Sequence, residues 1–210
     1  LHVTKDGGKS WFKASDFMPE LPKWGTIRNI EPSHFDASTC YVSVDAHQDG
    51  DFGTYVYKTT DLGKTWKRLT INLPPSNSNF VHQIKEDPEK QGLLWMGTDN
   101  GLYFSPDDGN NWIRFKHGLP AAPVFGIAIQ PHFNDLVVGT YGRGIFILND
   151  ITPIREFTEA VQNSELYLFT PGTAYRFQKI DGIKSKGSFS DGNNPPYGVS
   201  VNYYLKTASK

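Results

Sequence analysis

Three aspartates recur in one setting. The pattern Thr/Ser-x-Asp-x-Gly-x-x-Trp occurs at Thr4 to Trp11, at Thr59 to Trp66 and at Ser105 to Trp112. It places Asp6, Asp61 and Asp107 two residues after a hydroxyl and two before Gly8, Gly63 and Gly109. A carboxylate so placed has two chemical uses. It can join a Ca²⁺ loop, but that ion takes about six to eight oxygens. One acid per turn is too few, and the EF-hand spacing is missing. Alternatively, it accepts backbone N–H groups two or so residues on and locks a tight turn, while the glycine supplies left-handed backbone. An acid repeated with the same neighbours does the same local job each time, so these three read as structural pins. Trp11, Trp66 and Trp112 read as apolar plugs, each with one N–H to satisfy.

The remaining acids offer other chemistry. Two carboxylates facing each other across a cleft can hydrolyse a glycosidic bond. Exposed rings beside a few polar groups can hold a sugar or a peptide. Asp49 and Asp51 lie in the polar loop His47 to Gly53, beside Asp45 and His47. Asp99 opens Asp99-Asn100-Gly101, which aligns with Tyr141-Gly142-Arg143-Gly144. With Trp24, the residues Asp49, Asp51, Asp99, Tyr141 and Arg143 make a candidate ligand-binding rim. A solvated loop and an Asp99–Arg143 ion pair are the plainer alternatives. Trp95 and Tyr103 sit in apolar strands and read as core. The histidines lack ligand spacing, so neither a metal site nor a cofactor is expected. Catalytic residues are not identified.

The turns sit between short alternating runs. One unit reads as strands at 26–30, 39–44, 55–59 and 66–69, and the next as strands at 81–86, 93–98, 101–105 and 112–115. A third opens at 124–129, continues at 135–140 and 144–148, and lacks the acid turn. The tryptophans stand 55 and 46 residues apart. Four short strands per unit of about 45 residues is the signature of a β-propeller. The expected fold is therefore all-β: about three four-stranded antiparallel blades, then a linker and the start of a further β-domain. The expected divisions are 1–153 for the blades, 154–196 for post-propeller strands and linker, and 197–210 for the first strand of a further module. Residues 154–164 read as a short helix or irregular link, 165–169 and 174–177 as strands. Because the chain opens almost inside its first motif, a longer parent carrying the remaining blades is expected.

Bulk properties agree. The 210 residues include 20 Gly and 14 Pro, a composition suited to many turns. The net charge of −1, without a Lys/Arg stripe, argues against nucleic acid as a partner. No apolar run approaches the length of a membrane span. The lone Cys40 excludes an internal disulfide framework.

The three motifs resemble the Asp-box, or bacterial neuraminidase repeat, found in sialidases, xyloglucan-degrading endoglucanases, the sortilin luminal domain and photosystem II assembly factors. The runs Trp95-Met96-Gly97-Thr98-Asp99-Asn100-Gly101-Leu102-Tyr103 and Val138-Gly139-Thr140-Tyr141-Gly142-Arg143-Gly144-Ile145-Phe146 are similar to the last propeller blades of large bacterial exo-proteins, labelled sortilin-like or glycosyl-hydrolase-like. That resemblance implies a secreted, periplasmic or cell-surface protein and an immunoglobulin-like module opening near Pro196-Tyr197-Gly198. The motif is shared by enzymes and non-enzymes. The expected function is a non-catalytic scaffold or binding module engaging protein, peptide or glycan. The alternative is part of a sialidase- or xyloglucanase-like glycoside hydrolase whose acid pair lies largely outside this chain.

Overall fold

The computed structural model describes residues 1–70, 73, 79–174 and 198–207. They form two compact units, residues 1–131 with 136–147, and residues 132–135 with 148–210. The first consists of small antiparallel sheets in a partial propeller-like arrangement. A two-stranded hairpin, β1 (His2–Val3) with β2 (Phe12–Lys13), precedes a four-stranded sheet in simple meander order: β3 (Thr26–Pro32), β4 (Cys40–Ala46), β5 (Asp51–Thr59) and β6 (Lys67–Arg68). A second meander follows, β7 (Val81–Glu86), β8 (Leu94–Thr98), β9 (Gly101–Ser105) and β10 (Ile113–Phe115), then a three-stranded sheet, β11 (Val124–Gln130), β12 (Asp135–Thr140) and β13 (Ile145–Leu148). The loop expected at 47–53 is shorter than its composition suggested. His47–Asp49 form a single 3₁₀ turn closed by Gly50 at φ +81°, and β5 already begins at Asp51. Asp51 caps that start by accepting from Gly53 N and Tyr55 Oη at 2.9 and 2.7 Å.

Strand alternation explains why the sheets stack. Successive residues of β4 and β5 point to opposite faces. Val42, Val44 and Tyr57 turn toward the β1–β2 hairpin and pack with Ala14, Met18 and Trp66. Tyr41 and Val56 turn the other way, into a seam with Leu69, Val81, Ile84, Leu94, Met96 and Tyr103. Both faces are dry, so neither sheet can be stable without its neighbours. At about 1.5–3 kcal/mol for each large side chain fully buried, each seam outweighs what any single turn contributes.

The inner strands also carry a repeated device. The register of β3 against β4 slips between Ile27 and Asn29, and that of β7 against β8 slips between Val81 and Gln83. A bulge re-aims side chains. Here it turns an amide into the next sheet: Asn29 Oδ1 accepts from Ile84 N at 3.0 Å, and Gln83 Oε1 accepts from Ile127 N at 2.6 Å. The bulge itself leaves Arg28 and His82 out of the ladder.

In the second unit, two short helices, α1 (Thr152–Glu156) and α2 (Glu159–Asn163), occupy the stretch read as helix or link. Pro153 sits in the first turn of α1, where its missing N–H costs nothing. Thr158 Oγ1 caps α2 by accepting from Val161 N at 3.4 Å. Strands β14 (Leu166–Leu168) and β15 (Tyr203–Leu205) then pair antiparallel, Tyr167 opposite Tyr204. The strand expected at 174–177 and the linker to 196 fall, from residue 175 onward, outside the described residues.

Candidate functional site

The acid turns supply geometry rather than reactive groups. In each, the hydroxyl at the first position donates to the aspartate and accepts the glycine N–H. Thr59 Oγ1 donates to Asp61 Oδ1 at 2.9 Å and accepts from Gly63 N at 2.9 Å. Thr4 with Asp6 and Gly8 repeats this at 3.0 and 2.8 Å. Ser105 with Asp107 and Gly109 repeats it at 2.8 and 2.8 Å. Four residues on, the chain returns to both carboxylate oxygens. Ser10 and Thr65 donate N–H and hydroxyl, and Asn111 donates N–H and side-chain amide. The two Ser10 bonds hold Asp6 down to about 2, and the two Thr65 bonds hold Asp61 down to about 2. For Asp107 partial burial works the other way, but the Asn111 bonds outweigh it and the carboxyl is again lowered. Such groups stay ionised and fully occupied, which removes them as proton donors or acceptors at neutral pH.

The opposite rim brings ionisable and aromatic side chains together. There the start of each inner strand meets the turn that joins the second strand to the third. Thr26 pairs with Asp45, Asp99 N bonds Phe80 O at 3.2 Å, and Tyr141 N bonds Pro123 O at 2.8 Å. Asp45, Asp99 and Tyr141 therefore hold one position in three successive sheets. Each touches the residue two places into the neighbouring inner strand. The Asp45 carboxylate accepts from Arg28 Nε at 3.0 Å, and the ion pair closes through Nη2. Asp99 Oδ1 lies 3.3 Å from His82 Nε2. Phe125 and Tyr141 meet ring to ring at 5.9 Å. One structural slot thus runs from ion pair through hydrogen bond to aromatic pair.

Rings link the couples into a row. His47, whose Nδ1 sits 2.7 Å from Asp45 Oδ1, stacks on Phe80 at 4.4 Å. Phe80 meets the edge of His82 at 5.2 Å, and His82 stacks on Phe125 at 3.8 Å. Phe80 and His82 are buried; Phe125 and Tyr141 are 50% and 74% exposed. Asp45 is buried, which disfavours its charge, but the bonds from His47 and Arg28 outweigh that and lower its pKa. It is a fixed anion. The Asp99 side chain keeps a third of its surface in solvent.

Of the expected rim residues, Asp99 and Tyr141 enter this row, and Trp24, 70% exposed, flanks it beside Asp49 in a small polar pocket with Arg28 and Asp45. Asp51 is used in capping β5. Arg143 is exposed on the 141–144 turn, and the bonded partner of Asp99 is His82 rather than Arg143. Phe80, His82 and Phe125 went unnoticed in the sequence. Their signal is weak: Phe80 immediately precedes β7, and His82 and Phe125 stand second in β7 and β11, with His82 at the bulge that re-aims its side chain. Among the described residues no group of three or more His, Cys, Asp or Glu is placed to hold a metal ion. None of their helices is long and apolar enough to cross a membrane. Cys40 is half-buried, and burial pushes its thiol up to about 11, leaving it protonated and unreactive.

His82 gives the row a pH dependence. Burial lowers its pKa; the Asp99 bond and the charges of Asp99 and Asp45 oppose that, while Arg28 adds to it. Its Nδ1 is buried without a hydrogen-bond partner. A folded-state pKa below the unfolded value of about 6.5 means that the unfolded chain takes the proton first. His82 therefore contributes stability above pH 6.5 that is lost as pH falls toward its folded pKa. Urea titrations from pH 7 to 5 should show this loss. His82→Phe should flatten the slope by up to about 1.4 kcal/mol per pH unit, one proton's worth. An unchanged slope would assign the acid sensitivity elsewhere.

Comparisons with known proteins show what the chain is similar to. A family model described as Sortilin-Vps10 (sortilin, neurotensin receptor 3) matches residues 1–140. Vacuolar protein sorting/targeting protein 10 of Laccaria bicolor is 31% identical over 99 residues, 47% of this chain and 6% of that protein. The xyloglucanase of Hypocrea jecorina is 28% identical over 152 residues, 70% of this chain and 16% of the enzyme. The solved GH74 xyloglucanase from Xanthomonas campestris superposes with a TM-score of 0.54 at 16% identity, over 71% of this chain and 26% of that one, a likeness of fold. The chain thus spans only a small part of the relatives it matches. Similarity to hydrolases over most of the chain overturns the expectation of a non-catalytic scaffold or binding module. That expectation rested on a motif shared by enzymes and non-enzymes and on the lack of identifiable catalytic residues in this chain. With two thirds of its length matched by one family model, the chain belongs to the Sortilin-Vps10 family.

Proposed function

We propose that these blades are part of a xyloglucanase-like glycoside hydrolase and that the ring-lined rim supports a polysaccharide chain across the catalytic cleft. The observation that carries this reading is the row ending in exposed Phe125 and Tyr141, with the partly exposed Asp99 carboxylate beside it. Flat apolar faces next to fixed hydrogen-bonding groups suit sugar rings, whose faces are apolar and whose edges are polar. The similarity to the Hypocrea xyloglucanase supports the substrate class. Asp6, Asp61 and Asp107 are assigned as Asp-box pins, and the division at residue 153 as the end of the blades. The acid pair lies largely in blades outside this chain, in a longer exported protein.

The test is kinetic. The full-length protein should release reducing ends from xyloglucan. Tyr141→Ala and Phe125→Ala should each raise KM about tenfold, the equivalent of about 1.4 kcal/mol, with kcat changed less than twofold. That split marks residues that hold substrate without taking part in bond cleavage. Absence of hydrolysis on xyloglucan and related glucans would sink the reading.

A further inference from the structure

Beside the ring row lies a small polar pocket of about 170 Å³, lined by Trp24, Thr26, Arg28, Asp45, Gln48 and Asp49. At about 30 Å³ per water it holds roughly five or six, the room of one sugar ring and far less than an oligosaccharide. We infer that this pocket binds a single neutral pyranose or furanose ring, standing off any chain that lies along the row. The inference rests on the rim being a carbohydrate-facing surface and adds a second, separate place on it.

The lining argues for the ligand class. One wall is an indole, 70% exposed, which nothing in a water-only role requires. The floor is the Arg28–Asp45 pair, fixed at 3.0 Å and braced by His47 N and Nδ1 on the same carboxylate. A braced floor presents hydrogen-bonding groups without further ordering cost. Gln48 and Asp49 stand exposed at the mouth, an amide that both donates and accepts and a carboxylate that accepts only. Vicinal hydroxyls satisfy such a set, because each can donate to one group and accept from the next. An anionic ring does not fit. Asp45 is held ionised by its partners, and with Asp49 it outnumbers the single Arg28, whose charge Asp45 already takes up. A planar apolar ligand would leave Gln48 and Asp49 desolvated and unpaired.

Saturation-transfer NMR on the full-length protein tests this, with methyl β-glucoside, methyl xyloside and methyl glucuronide as probes. The neutral glycosides should bind with millimolar Kd and the glucuronide at least tenfold more weakly. Trp24→Ala and Asp49→Ala should each weaken the neutral probes at least tenfold. Trp24→Phe should restore binding, which separates a lost ring face from a lost fold. Tyr141→Ala, away from the pocket, should leave these affinities within twofold while impairing polysaccharide turnover, so failure of one reading is distinguishable from failure of the other. No binding of the neutral glycosides, equal binding of the glucuronide, or indifference to Trp24→Ala would each overturn the pocket.

Discussion

Glu86→Ala is expected to cost about 3–5 kcal/mol of folding stability, the range for removing one partner of a buried charged network. Glu86 ends β7, and its side chain is wholly out of solvent. Oε1 accepts from Tyr41 Oη at 3.2 Å and Gly92 N at 3.3 Å, and Oε2 accepts from His34 N at 3.3 Å. Two of those donors lie outside the sheet of β7, Tyr41 on β4 and His34 in the loop joining β3 to β4, so the carboxylate ties one sheet to the next. The Tyr41 hydroxyl also reaches Asp108 Oδ1 at 3.0 Å, and Lys58 pairs with the other oxygen of Asp108. One phenolic proton is thus shared between two carboxylates. Burial, with both acids adding to it, raises the Tyr41 pKa far out of the physiological range, so the proton stays.

Alanine at 86 leaves the buried Gly92 N–H without its acceptor, strips Tyr41 of one of its two and His34 N of its own, and an unsatisfied buried donor costs about 1–3 kcal/mol. With a urea slope near 2 kcal/mol per molar, the midpoint should fall by roughly 2 M. Glu86→Gln keeps the shape and one acceptor and should cost only about 1–2 kcal/mol. Tyr41→Phe leaves Glu86 and Asp108 with no hydroxyl between them. Its effect should couple to Glu86→Gln by about 1–3 kcal/mol in a double-mutant cycle. Simple additivity of the two would mean that the carboxylates do not share the proton, and a loss under 1 kcal/mol in Glu86→Ala would place the strength of the seam in its apolar contacts alone.

How far the sequence reveals this depends on the range of each interaction. Strands and turns are local. The alternation in Cys40 to Val44 and the spacing from Thr59 to Trp66 hold within one sheet and can be read without knowing the neighbours. The seam is not local. Nothing near Glu86 in the chain says that it meets Tyr41, 45 residues earlier. Repetition recovers part of that loss, since equivalent residues must face equivalent neighbours; on that ground Asp99 and the Tyr141–Arg143 turn were placed on one rim. It misleads where a slot keeps its place and changes its chemistry. Arg28, His82 and Phe125 are one position in three sheets, yet as a cation, an imidazole and a phenyl ring they share no sequence signature. The bulge that aims Arg28 and His82 is a register property, visible only once strands are paired. The tryptophans teach the same lesson. Trp66 and Trp112 fit one motif, but Trp66 is buried and Trp112 half-buried, because what covers each is the sheet before it.

The turn glycines convert that lesson into the second large effect. Gly8, Gly63 and Gly109 share a motif position and nearly one conformation, with φ of +91°, +84° and +80°. Alanine at any of them carries the same backbone penalty, about 1–2 kcal/mol for a side chain in the left-handed region. What differs is the space. At Gly63 a Cβ meets Ala14 Cβ at 3.0 Å and Val3 Cγ2 at 3.3 Å. At Gly109 it meets Leu69 Cδ1 at 2.7 Å and Cβ at 2.9 Å. Leu69 cannot retreat: it is buried, its N–H is bonded to Val56 O at 2.8 Å, and its carbonyl accepts from Trp112 Nε1 at 3.1 Å. Overpacking adds about 1–3 kcal/mol. Gly→Ala should therefore cost about 2 kcal/mol at position 63 and about 3–4 at 109, read from urea midpoints. Leu69→Ala alone should cost about 2–5 kcal/mol by opening a cavity. In that background the methyl at 109 has room, and the cost of Gly109→Ala should drop to the shared backbone share of about 1–2 kcal/mol. Equal losses at 63 and 109 would mean that the turn alone selects glycine; a larger loss at 109, with rescue there, would mean that the packing of one sheet on the next selects it.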